Sequence, residues 1–123
     1  MKIPKTIRLN GIEYTVEEVD HLDNGVNLAY GYINYETHQI LISKEKNIGY
    51  QKKCLVLLHE IMHGIAEAYR LDLGDNEEEI VDTFARGIYQ VLQDNGQRLF
   101  NIKEDSNVHR SGKRKNKRAA KRA

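Results

Sequence analysis

Cysteine, proline and tryptophan are close to absent from this 123-residue chain, which has one Cys, one Pro and no Trp. With Cys54 alone, no internal disulfide can form and no thiol-based zinc site can be assembled. Long apolar runs are also missing. The clearest, Leu55 to Leu58, is far too short to span a bilayer, and Met1-Lys2-Ile3-Pro4-Lys5-Thr6 has no run long enough for a secretory signal. A cytoplasmic location is the expectation, with no membrane partner. Acidic residues are absent from 110–123, which carries 8 Lys/Arg, whereas residues 1–109 carry 11 Lys/Arg against 18 Asp/Glu, a net −7. The overall charge of +1 therefore conceals an acidic body and a basic tail.

A length of 123 residues and 40% hydrophobic content fit one core. Ile7-Arg8-Leu9 and Ile12-Glu13-Tyr14-Thr15-Val16 alternate apolar with polar around Asn10-Gly11, the strongest short hairpin signal. A second strand pair is expected over residues 29–36 and 39–43, joined at Thr37-His38, with a loop over 20–27. From about Gln51 to Leu71 the period becomes helical, with Leu55, Leu58, Ile61, Met62, Ile65, Ala66 and Tyr69 on one side. Residues 72–76 end that helix. A second one is expected over 77–93, opened by Glu77, Glu78 and Glu79, where the helix dipole favours negative charge, and stopped by Asp94-Asn95-Gly96. Apolar content fades after Ile102. The expected division is a domain over 1–102 and a basic, unpacked tail over 103–123.

The chemistry sits on the two helices. His59-Glu60-Ile61-Met62-His63 places two imidazoles at i and i+4, on one face, where both can bind one Zn2+ ion. Glu60 lies beside them and can reach a metal-bound water as general base. A third protein ligand is needed. A histidine six residues after His63 would serve, but Tyr69 stands there, and Ala66 replaces the glycine midway. His21, His38 and His109 read as solvent or turn histidines. The better ligand is a carboxylate at the start of the second helix, which an αα-hairpin brings back to the first. Glu78 is preferred because Asp82, at i+4, can accept a hydrogen bond from a ligating imidazole; Glu77 and Glu79 read as capping residues.

With H-E-I-M-H followed by E-E-I-V-D, the chain resembles the glutamate-type zincins, or gluzincins. More narrowly, it is similar to the small ImmA/IrrE-like zinc metallopeptidases of bacteria, phages and mobile elements. Their Glu-x-x-Ala-Asn-x-Phe-Ala signature has its counterpart in Glu78 to Ala85, with Val81 and Asp82 in place of Ala-Asn. That family often has glycine before the second histidine, whereas here Met62 precedes His63 and Gly64 follows. The resemblance implies an α+β, minimal zincin-like domain: a small antiparallel sheet packed on an active-site helix and a following helix. It also implies hydrolysis of a peptide bond in a protein substrate, such as a regulator, in a bacterial or phage-infected cell.

In zincins the strand before the active helix binds substrate as an added β-strand, which makes Ile40, Leu41 and Ile42 candidates, against the alternative of an internal strand. Tyr69 and Tyr89 are possible oxyanion donors, although tyrosines at helical spacing more often pack. In the tail, Arg110, Lys113, Arg114, Lys115, Lys117 and Arg118 can bind nucleic-acid phosphates without sequence preference, or simply solubilise the chain. Two functions stand at this point. One is a zinc-dependent endopeptidase; the other is a non-catalytic, zinc-stabilised binding protein with a nucleic-acid-binding tail.

Overall fold

The computed structural model describes residues 2–20, 22, 30–44 and 49–99. Its elements are β1 (Thr6–Leu9), β2 (Ile12–Val19), β3 (Gly31–Asn34), β4 (Gln39–Ser43), α1 (Tyr50–Ala68) and α2 (Glu77–Asn95). This is the expected α+β content. The segment 103–123, with His109 and all the basic tail residues, lies outside the described residues, as does His21.

The first hairpin follows from its turn. Asn10 and Gly11 have φ of 51° and 83°, the left-handed pair that a two-residue turn needs to match strand twist. Leu9 then pairs with Ile12 and Thr6 with Thr15. In the second hairpin, Asn34 pairs with Gln39 and Ile33 with Ile40. Its second strand has the expected bounds, whereas the first ends at Asn34, short of residue 36, because the Asn34 side chain closes the turn, accepting from the Glu36 and Thr37 amides at 2.9 and 3.0 Å. His38 sits in that turn at φ 58°, its ring 5.2 Å from that of Tyr14.

The two hairpins join in a way the sequence did not suggest. The strand order is β1-β2-β4-β3, and β2 pairs with β4 in parallel, Val16 opposite Ile40. The sheet is therefore mixed, antiparallel within each hairpin and parallel between them. Burial explains the placement. Ile40 and Ile42 are fully buried, each such side chain contributing about 1.5–3 kcal/mol, so β4 takes the centre and the tyrosine-bearing β3 the edge.

One face of the sheet carries Leu9, Tyr14, Val16, Ile33, Ile40 and Ile42, which pack with Val56 and Leu57 of α1 into a single core. Gly64 marks a close approach of α1 to β1 and β3: a Cβ there would lie 2.6 Å from Leu9 Cδ1 and 3.1 Å from Ile33 Cδ1. This contact accounts for glycine at position 64. The helix stops at Ala68, short of Leu71, because Arg70 turns left-handed (φ 56°). The Leu71 amide then reaches back to Ala66 O at 2.8 Å, a Schellman-type closure. Gly74, at φ 74°, opens a 3-10 turn that leads into α2.

The chain divides into two compact units, Met1–Gln93 and Asp94–Ala123, the break falling within the last turn of α2. The first unit holds the sheet, α1 and most of α2. The described part of the second holds the end of α2 at Asn95 and a 3-10 turn over Gly96–Arg98. No helix among the described residues is long and apolar enough to cross a membrane.

Candidate metal centre

Helical geometry puts His59 and His63 one turn apart on the same face of α1, and the turn over residues 69–76 returns the chain along them. His59 Nε2 lies 3.0 Å from Glu78 Oε1, and His63 Nε2 lies 2.8 Å from Glu78 Oε2. The two Nε2 atoms are 3.2 Å apart. His59, His63 and Glu78 thus form a group that could hold a metal ion, with ligand atoms all within 4.8 Å of one another.

The far side of each ring decides what those Nε2 atoms are. His59 Nδ1 faces Asp82 Oδ1 at 3.4 Å, and His63 Nδ1 faces Glu77 Oε2 at 2.7 Å. A proton shared with a carboxylate on Nδ1, as the 2.7 Å His63–Glu77 contact allows, would leave Nε2 as a lone-pair donor. With both rings in that tautomer, two imidazole lone pairs and a carboxylate face one point, where a cation would be held. The spacing fits such an ion. Bonds of ~2.0–2.2 Å at tetrahedral angles put ligand atoms roughly 3.3–3.6 Å apart, a few tenths of an ångström beyond those seen here.

Of the three glutamates that open α2, Glu78 is the one that lies against Nε2 of both histidines, and Asp82 lies beside His59 Nδ1. Glu77 departs from expectation. Read as a cap, it instead holds His63, giving each histidine its own carboxylate. Only Glu79, which is exposed, is left to the helix terminus. Arg86, one turn beyond Asp82, forms an ion pair with it.

Glu60 points to the other side of the histidine row, against the sheet. It is only 7% exposed. Burial pushes its carboxyl above the ordinary carboxylate range; His59 and His63 partly oppose that shift and Glu78 adds to it. Its neighbour is Gly31, at the start of edge strand β3. A Cβ at Gly31 would lie 2.5 Å from Val56 Cγ1 and 2.9 Å from Glu60 Oε2, so only glycine lets the strand come this close. Nothing in the local sequence around Gly31 signals that contact.

A cleft of about 610 Å3 opens between β3 and the two helices, lined by the metal group and by Tyr30, Gly31, Glu60, Ala85 and Arg86 among others. Tyr69 and Tyr89 do not line it; Tyr69 is 67% exposed. Tyr35 supports the site from behind, its hydroxyl donating to His63 O at 3.3 Å. Burial, with Glu67, Glu77, Glu60 and Tyr14 nearby, raises its phenol to about 12.

The reading of Ile40, Leu41 and Ile42 as a substrate-pairing strand is corrected. β4 has β2 on one side and β3 on the other, so both rows of its backbone groups are already used. Among the described residues, the free edge beside the cleft is that of β3. No family model, curated protein or solved structure matches this chain.

Proposed function

We propose that this chain is a zinc-dependent peptidase of the gluzincin type, similar to the ImmA/IrrE-like enzymes, acting on a protein or peptide. The observation that carries the reading is the position of Glu60. A metal group serving structure alone has no use for a carboxyl buried beside it, facing a cleft, with its proton affinity raised. Catalytic carboxyls are tuned in this way towards neutral pH.

His59, His63 and Glu78 would hold the ion, which when bound supplies Lewis acidity toward a water and a peptide carbonyl. Glu60 takes the proton from the attacking water and returns it to the leaving amine. Asp82 and Glu77 keep the imidazoles oriented and protonated on Nδ1, so that neither ring competes for the water's proton. The free edge of β3, running past Glu60 from Gly31 to Asn34, offers main-chain groups to an extended peptide. Gly31 keeps that edge close enough for the peptide to lie over the base. The test is hydrolysis of a protein substrate by the zinc-loaded chain. Glu60→Gln should abolish hydrolysis without loss of zinc, and full activity in that variant would refute the mechanism.

A further inference from the structure

The cleft extends well beyond the metal group. His59 faces Glu78 and Asp82 while His63 faces Glu77 and Glu78, so α2 runs back along α1. Moving toward the start of α1 reaches Lys52, seven residues before His59, and the same end of α2 carries Arg86, eight residues after Glu78. At ~1.5 Å per helical residue these lie about 10 and 12 Å from the metal ligands along their axes. Both line the cleft, with Leu55, Val56 and Ala85 between them. Strand β3 follows the same direction: Gly31 lies against Val56 and Glu60, and the ring of Tyr30 carries the Lys52 ammonium 4.7 Å from its centre.

We propose that this end of the cleft is an anion subsite, which takes a carboxylate of the bound peptide about three residues from the bond that is cut. The proposal rests on the peptidase reading and deepens it to a substrate class, acidic peptides. The spacing follows from an extended chain at ~3.3 Å per residue. Charge makes the occupant anionic. Among the described residues, no carboxylate pairs with Lys52; the Tyr30 ring holds its ammonium in place without neutralising it. Arg86 gives one N–H to Asp82 and retains further donors on its planar fork. Asp82 in turn divides its two oxygens between Arg86 and His59. Among the described residues at this end, two cations stand against one shared carboxylate, a positive balance. Its apolar walls strengthen the attraction relative to open water.

The carboxylate has two possible sources, an acidic side chain or the free C-terminus of the peptide, and both can be read in one experiment. Zinc-loaded full-length Glu60→Gln is titrated against fluorescein-labelled Ala/Val decapeptides. One set is C-terminally amidated with a single Glu, Gln or Lys walked along the chain; a second, neutral set compares the free acid with the amide. The expected result is roughly five- to tenfold tighter binding for Glu at one position or two adjacent ones, or for the free acid. Lys52→Gln combined with Arg86→Gln should remove the gain, with circular dichroism and zinc content verifying the fold. Lys52→Glu should move the preference toward Lys at the same position. The subsite is overturned if Glu, Gln and Lys peptides bind alike, if none binds, or if the preference survives these substitutions. Wild type incubated in parallel separates the two ideas. Selective binding without cleavage would count against the peptidase alone, and cleavage without selectivity against the subsite alone.

Discussion

His63 is held from both sides of its ring: Nδ1 lies 2.7 Å from Glu77 Oε2 and Nε2 lies 2.8 Å from Glu78 Oε2. Neighbouring residues of one helix turn thus serve opposite nitrogens of one imidazole. Removing an outer carboxylate of this kind weakens metal binding by roughly 10- to 100-fold. Glu77→Ala should therefore lose zinc to a competing chelator at concentrations that leave wild type loaded, whereas Glu79→Ala should behave as wild type. Equal retention by the two variants would show that Glu77 only caps the helix.

Glu78 and Asp82 separate by the same assay. Glu78→Ala removes a ligand atom, and Asp82→Ala removes only the group behind His59. The loss of affinity should be larger for Glu78→Ala than for Asp82→Ala, and both should exceed that of Glu79→Ala. A Glu78→Ala protein that binds zinc as tightly as wild type would exclude Glu78 from the ligand set.

Much of this site is legible in the sequence because its parts are local. The i, i+4 spacing of His59 and His63 and of Glu78 and Asp82 each needs only one helix. The Asn10-Gly11 hairpin and the turn before α2 are equally local. Glu77, Glu78 and Glu79 project about 100° apart around α2, so which of them meets His63 depends on how two helices are rotated against each other. The central place of β4 depends on pairing between two hairpins, and the need for glycine at position 31 on a strand-to-helix approach. Neither leaves a pattern in the residues nearby.

That approach gives a stability prediction. In Gly31→Ala the new methyl meets Val56 Cγ1, which is stiff because its side chain branches at Cβ, and the buried Glu60 carboxyl. Overpacking of this kind costs about 1–3 kcal/mol. In Gly64→Ala the nearest atom is the end of the longer Leu9 side chain, which can turn aside at lower cost. Thermal unfolding should rank wild type above Gly64→Ala, and Gly64→Ala above Gly31→Ala; the reverse order of the two variants would contradict this packing.

Glu60 predicts a pH dependence of the metal-free protein. Burial raises its folded pKa above the unfolded value, so the native state holds the proton more tightly. Its contribution to stability is fully present below the unfolded pKa and is lost as pH rises through the folded pKa. Metal-free Glu60→Gln, which cannot ionise, should match wild type in acid and become the more stable of the two as pH rises through that folded value. Parallel stability profiles across the range would mean that Glu60 ionises in the fold without penalty.

The most direct measurement compares zinc-loaded wild type with Glu60→Gln, at matched zinc content, on a whole bacterial proteome, reading newly formed protein N-termini. Wild type should generate a defined set of cleavages that Glu60→Gln does not. Cleavages equal in number and position for the two proteins, or none from either, would contradict a peptidase that uses Glu60 as its base.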